Sequence, residues 1–174
     1  MTEKQSNILK VALELFSSDG YAATPTSKIA KKAGVSEGLI FRHFVNKQGL
    51  LDALLKEADV RFGELFGPIL FETNPKKVIR RTIKIPFKIA DRKDHDFRKL
   101  QTILKRDPEY NNPEKLKPLI YKLTVAFQNL KYKDPENEAI LLYHIMDNIS
   151  MEVLKGNIEQ TSRFRNFLLK KYKV

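Results

Sequence analysis

Cysteine and tryptophan are both absent from the 174 residues. Without cysteine there is no disulfide, no thiolate zinc site and no thiol nucleophile, and a reducing compartment is the natural setting. Histidine occurs only three times, as His43, His95 and His144. These stand far apart and none lies in H-E-x-x-H or E-x-x-H spacing, so no metal centre is expected. No phosphate-cradling glycine loop or dinucleotide fingerprint appears. An enzymatic reading therefore has little to stand on, and no cofactor is expected. Glycine is scarce, at seven residues, and no segment alternates apolar and polar residues as a half-buried strand does. Long apolar runs are missing too: none approaches the roughly 18 residues of a membrane span. The opening residues Met1 to Asn7 are polar and lead into no long apolar run. No secretory leader is expected, and the chain is placed in the cytoplasm.

What is present is apolar volume and positive charge. Hydrophobic residues make up 42% of the chain, with eleven Phe and six Tyr, enough for a packed core in one or two domains. The formal net charge is +11, a surplus that attracts polyanions, nucleic acid first. Its distribution is uneven. Residues 1–50 carry seven basic against four acidic side chains, and residues 71–106 carry twelve against four. A stripe of Lys76, Lys77, Arg80, Arg81, Lys84 and Lys88 follows helical spacing. It is a solvated face, an anionic-effector surface or an outlying DNA contact.

Helical periodicity runs through the chain. Ile8, Leu9, Ala12, Leu15 and Phe16 share one face of a helix over residues 6–18, stopped by Ser17-Ser18-Asp19-Gly20. Thr26 or Ser27 caps a second helix, which Gly34 ends, and Ser36 caps a third that reaches Phe44. Asn46 or Lys47 opens a fourth, expected to break at Gly67-Pro68. Prolines then punctuate helices expected near 75–91, 94–106, 113–131, 135–155 and 159–172, with Pro86 and Pro118 kinking two of them or marking a first turn. The expected fold is all-α, with about nine helices. A three-helix helix-turn-helix domain at 1–47 precedes a helical bundle at 48–174, and the seam lies inside the fourth helix rather than in a linker.

The most informative stretch is Ile29-Ala30-Lys31-Lys32-Ala33-Gly34-Val35-Ser36-Glu37-Gly38-Leu39-Ile40-Phe41-Arg42-His43-Phe44. Two short helices meet at Gly34. Ile29, Ala30, Ala33, Val35, Ile40 and Phe44 form one shared apolar back, and small Ala30 lets the helices cross closely. Glu37, Gly38, Leu39, Arg42 and His43 are left as a front. A rigid back with a free front is what a helix entering the DNA major groove requires. Glu37 in a first turn also favours the helix dipole with no DNA present. Arg42 reads a base or reaches a phosphate. At least two of Lys28, Lys31 and Lys32 are read as a solvated face. Lys47 has a natural phosphate partner.

Residues 8–55 resemble the DNA-binding domain of the tetracycline-repressor (TetR) family. The resemblance rests on Ala12, Phe16, Gly20-Tyr21, Thr24, Ile29-Ala30, Ala33-Gly34-Val35-Ser36, Gly38, Phe41, His43-Phe44, Lys47 and Leu50-Leu51, in that order. It implies phosphate contacts by Thr26, His43 and Lys47, and base-facing positions at Ser27, Glu37, Gly38, Leu39 and Arg42. Phe41 stands where the family usually has a tyrosine and lacks the hydroxyl that would reach a phosphate. Leu39 stands where the family often has threonine and offers only apolar contact, for instance to a thymine methyl.

Behind this region, residues 139–155 are apolar over more than one face. One stripe packs into its own domain, and Leu141, Ile145 and Ile149 are left for another partner. Phe164, Phe167 and Leu168 on the last helix add to that surface. Two such helices from each of two copies make a four-helix dimer interface, and the resemblance implies the same homodimer on a palindromic operator. The resemblance also implies a pocket for a small effector, for which Phe62, Phe66, Phe87, Tyr121, Tyr143 and His144 are the candidate residues; aromatics at this spacing are core far more often than pocket. The expected function is a sequence-specific DNA-binding repressor released by its effector. The alternatives are a constitutive binder without ligand, or a helical adaptor that has lost DNA binding.

Overall fold

The structure, a computed structural model, describes residues 1–91, 99–100, 103, 113–155, 157–158 and 161–174. Among them stand eight α-helices and one 3-10 turn: α1 (Glu3–Ser18), α2 (Thr26–Ala33), α3 (Glu37–Phe44), α4 (Lys47–Leu70), α5 (Pro75–Asp91), the turn Pro113–Leu116, α6 (Lys117–Asn129), α7 (Pro135–Lys155) and α8 (Thr161–Lys171). No strand occurs among the described residues. The helix expected near 94–106 lies largely outside them. The chain divides into two compact units, Met1–Arg61 with Asp94–Asn111, and Phe62–Lys93 with Asn112–Val174. The division between the units falls within α4, between Arg61 and Phe62.

In the first unit, α1 starts with a reciprocal cap. The Gln5 N–H donates to the Thr2 hydroxyl at 3.3 Å, and the Thr2 N–H donates to Gln5 Oε1 at 2.7 Å. The helix stops where Gly20 takes a φ of 88°, a left-handed value glycine adopts without a Cβ penalty. Ile8, Ala12 and Phe16 are buried with Val11, Leu13 and Leu15, so α1 is a central helix rather than a one-sided surface one. From α4 come Leu50, Leu51, Leu54 and Ala58, all buried, and Leu100 and Ile103 are buried as well. Helix α4 is not broken at Gly67-Pro68 but runs through to Leu70. Pro68 sits in its last turn, where it removes one intrahelical N–H bond with little helix left beyond it to bend. The freed strength of the turn is supplied by buried Ile69 and by the Arg81 guanidinium, which donates to the Pro68 carbonyl and pairs with Glu72 at 3.0 Å.

In the second unit α5, α6 and α7 pack on one another, and α8 lies against α5. The expected 113–131 helix is shortened: its start is the 3-10 turn, and Pro118 falls in the first turn of α6, where its missing N–H is harmless. Pro86 is accommodated inside α5. The core gathers Val78, Ile79, Ile83, Phe87, Leu123, Phe127, Ala139, Leu142 and Met146.

Candidate nucleic-acid interface

Helices α2 and α3 are joined by a turn that backbone groups close. Gly34 has a φ of 67°, its N–H reaches the Lys31 carbonyl at 3.4 Å, and the Val35 N–H reaches Ala30 at 3.1 Å. Asn7 of α1 donates to the Ala33 carbonyl at 2.9 Å, tying the end of α2 to the central helix. The back of the pair is fixed by Ile29, Ala30, Ala33 and Ile40, all buried; Val35 and Phe44 are half-buried. The exit from α3 is tight. Val45 holds φ 67° and ψ −50° while the Asn46 N–H reaches the Phe44 carbonyl at 2.7 Å, a γ-turn of the strained positive-φ kind. The first turn of α4 then passes so near that a Cβ on Gly49 would lie 1.9 Å from the Phe44 oxygen. Asn46 caps α4, accepting the Gly49 N–H at 2.9 Å.

On the front, Ser27, Gly38 and Arg42 are exposed, Phe41 is 45% exposed, and Leu39 and His43 are half-buried. Arg42 has no acidic partner among the described residues. Thr26 does not cap α2; Pro25 takes that position without a side-chain bond, and Ser36 likewise caps α3 by position only. The Thr26 hydroxyl instead donates to Glu37 Oε1 at 2.5 Å. The two residues expected at separate contacts, phosphate and base, are thus brought together, and the Thr26 proton is already engaged. No side chain makes a cap hydrogen bond at the start of α2, and free N–H groups at a helix start suit an anion.

Two of the three α2 lysines turn back to α1. Lys28 pairs with Asp19 and Lys32 with Glu14, each at 2.7 Å. The hydrogen bonds from these lysines hold both carboxyls below their usual range. Lys31 is exposed. Lys47 lies 4.3 Å from the Tyr21 ring centroid and 3.4 Å from the Ala22 carbonyl. Tyr21 itself stands edge-on to Phe16 and donates to Gln48 at 3.0 Å. The ammonium is therefore held beside the start of the reading pair rather than swinging free. Tyr21 as its platform is a role that sequence reasoning missed; the Gly20-Tyr21 step is the signal that could have shown it. Gln5, which bonds His43 at 3.3 Å, was missed as well. This arrangement presents donors and cations along one side and an exposed helix front between them, suited to a polyanion with grooves.

The residues proposed for ligand binding scatter within their unit. Phe87 is buried; with Lys84 and Lys88 of α5 and Arg165, Asn166 and Leu169 of α8 it lines a cleft of about 280 Å³. Phe62 and Phe66 stack at 5.6 Å, and Tyr143 meets His144 edge-on at 5.3 Å. Burial pushes the Tyr143 hydroxyl up to about 12, with Asp147 adding to it. His144 is exposed and Tyr121 is 73% exposed, so neither is enclosed. Of the expected interface residues, Ile149 (7% exposed) and Leu168 (3%) belong to the core of their own unit, because their faces turn inward. Leu141 and Phe167 are exposed at 49% and 58%, while Ile145 and Phe164 are half-buried.

Residues 8–54 match the family model described as bacterial regulatory proteins, tetR family. An uncharacterized HTH-type transcriptional regulator of Bacillus subtilis, YerO, is 31% identical over 137 residues, which is 75% of this chain and 45% of that protein. The chain spans less than half the length of the curated relatives it matches. Among solved structures, a TetR-like transcriptional regulator from Rhodococcus sp. RHA1 superposes with a TM-score of 0.76 at 19% identity, covering 95% of this chain and 91% of that one. The transcriptional regulator FadR from Bacillus subtilis, solved in complex with stearoyl-CoA, gives 0.66 at 24% identity over 95% of each chain. The fold is TetR-like throughout, and with the helix-turn-helix geometry, the matched family model and these relatives, the chain belongs to the TetR family of transcriptional regulators.

Proposed function

We propose that this chain is a sequence-specific DNA-binding transcriptional repressor, cytoplasmic, that acts as a homodimer on a palindromic operator. The observation that carries the reading is the front of α3: Gly38 and Arg42 stand exposed on a helix whose back is locked by buried Ile40 and whose exit is closed by backbone contacts. Residues 1–47 supply the reading surface, and residues 48–174 effector binding and dimerisation. The relatives are named as transcriptional regulators, and the reading is regulatory rather than enzymatic. No helix among the described residues is long and apolar enough to cross a membrane.

Ser27, Gly38, Leu39 and Arg42 face base edges, and His43 and Lys47 face phosphates. Arg42 offers two donors to a guanine, worth about 1–3 kcal/mol of discrimination, and Leu39 offers methyl contact to a thymine. Thr26 and Glu37, bonded to each other, act as one unit at the start of α2. The test is a randomised-site selection on wild type, Arg42→Ala and Leu39→Ala. Arg42→Ala is expected to lose preference at one position, and Leu39→Ala to relax thymine over cytosine at another. Identical consensus and information content in all three proteins would remove base reading from both side chains.

The effector arm rests on the cleft of Lys84, Phe87, Lys88, Arg165, Asn166 and Leu169. Its cations and apolar floor suit a small molecule with an anionic head and an apolar portion, and FadR is solved with stearoyl-CoA. An anionic amphiphile is expected to raise the melting temperature and to release DNA; a constitutive binder would show neither effect.

A further inference from the structure

We propose that Gln5 is a positioning residue for the DNA contact made by His43: it fixes which ring nitrogen carries the proton. The inference rests on the DNA-binding reading above and adds to it a residue outside the helix-turn-helix.

The argument is a chain of donors and acceptors. The Thr2 backbone N–H can only donate, and its partner at 2.7 Å must be the oxygen of the Gln5 amide. Turning that amide over would set an NH₂ group against the Thr2 N–H and break the cap. The orientation of the amide is therefore settled by the backbone, not by the imidazole. Its nitrogen then lies 3.3 Å from His43 Nδ1. An amide NH₂ is a donor only, so Nδ1 must accept through its lone pair. The neutral ring has one proton left to place, and it goes on Nε2. No other hydrogen bond of His43 exists among the described residues. Nε2–H is thus a preset donor with no partner among the described residues, on the last turn of α3, beside Arg42 and the entry to α4. A phosphate oxygen has only lone pairs to offer, and this tautomer alone, of the two neutral ones, meets it with a proton. The cap that starts α1 and the proton that meets DNA are consequently one hydrogen-bonded string: Thr2 N–H to Gln5, Gln5 to His43, His43 to phosphate.

Gln5→Glu separates the two roles of Gln5. A carboxylate still accepts the Thr2 N–H, as a capping-box glutamate does, so α1 keeps its cap. It can no longer donate to Nδ1 and accepts from it instead, which draws the ring proton to Nδ1 and leaves the Nε2 lone pair facing outward. Long-range nitrogen–proton NMR of the free protein, well above the ordinary imidazole range, reads the tautomer directly. Wild type is expected to show a protonated Nε2 and a bare Nδ1, and Gln5→Glu the reverse, with an unchanged melting temperature. A proton on Nδ1 in wild type, a mixture of tautomers, or a ring that does not respond to Gln5→Glu would overturn the assignment.

Binding is then measured at the same pH on a mixed-sequence duplex at low salt, since a phosphate contact is independent of sequence. Gln5→Glu is expected to weaken binding about tenfold, the loss of one hydrogen bond to a charged group. In the His43→Ala background it should change affinity far less. An equal loss in both backgrounds means simple repulsion between the new carboxylate and DNA, and refutes a role through His43. Absence of any DNA binding by wild type would instead sink the proposed function, while the free-protein spectrum would still decide whether Gln5 sets the ring.

Discussion

A methyl group on Gly49 would meet the Phe44 carbonyl oxygen at 1.9 Å, a contact backbone cannot relieve. Gly49→Ala should therefore destabilise the protein by about 2–3 kcal/mol, at the upper end of overpacking costs. An unchanged urea midpoint would show that α4 does not pass Phe44 so closely. Tyr172 presents the opposite case. Its ring packs near Phe127, at 5.9 Å between centroids, but its hydroxyl is buried with no partner. Tyr172→Phe is expected to raise stability by about 1 kcal/mol, the penalty of an unmade hydrogen bond, with a higher melting temperature as the readout. Burial pushes the Tyr172 and Tyr143 hydroxyls up to about 12 from the ordinary 10. Unfolded tyrosines release their protons first as pH rises through that window, so stability should fall there, and fall less in Tyr172→Phe. Neither position was legible beforehand. A sequence shows that a glycine or a tyrosine is present, but not which atoms the backbone brings up against it.

At the scale of elements, the helix-turn-helix was legible because three signals agree there: apolar residues at helical spacing, Gly34 at a turn, and a front free of large apolar side chains apart from Leu39 and Phe41. The caps were not. Thr26 and Ser36 are good capping residues by type, yet Pro25 takes one cap position and the Thr26 hydroxyl goes to Glu37, because a partner eleven residues away competes for it. Of the α2 lysines read as a solvated face, Lys28 and Lys32 are paired with acids at Asp19 and Glu14. That leaves Lys47, held over Tyr21, as the cation fixed in place beside α3. Lys47→Ala should weaken binding to specific and mixed DNA alike and lower the salt slope by roughly one unit per subunit. A slope identical to wild type in a salt titration would place Lys47 away from phosphates. Pro68 marks the other limit of pattern reading: proline predicts a break, but three-dimensional support from Arg81 and Ile69 carries α4 past it.

For the whole molecule, the surplus apolar surface read on the last two helices is only partly surplus. Ile149 and Leu168 are core, whereas Leu141 and Phe167 remain exposed. Phe167 is the sharper probe of dimerisation, since a charge there leaves its own unit intact. Phe167→Glu is expected to sediment as a folded monomer at micromolar concentrations where wild type is a dimer; two identical profiles would take the interface elsewhere. The pattern change after residue 47 marks the end of the helix-turn-helix and not the extent of the first unit, which runs on to Arg61. Leu50, Leu51, Leu54 and Ala58 complete the first core, and Leu100 and Ile103, buried in the same unit, arrive from a distant part of the chain. No periodicity announces which core a remote leucine will join. That discontinuity limits how such a protein can be recombined. A reader moved to another regulator by one cut and one splice would leave Leu100 and Ile103 behind and arrive with a hole in its core. The outer face of α3 carries no such debt: under the proposed reading Gly38, Leu39 and Arg42 can be exchanged singly, and a new target site would be reached by point substitution more readily than by swapping the unit.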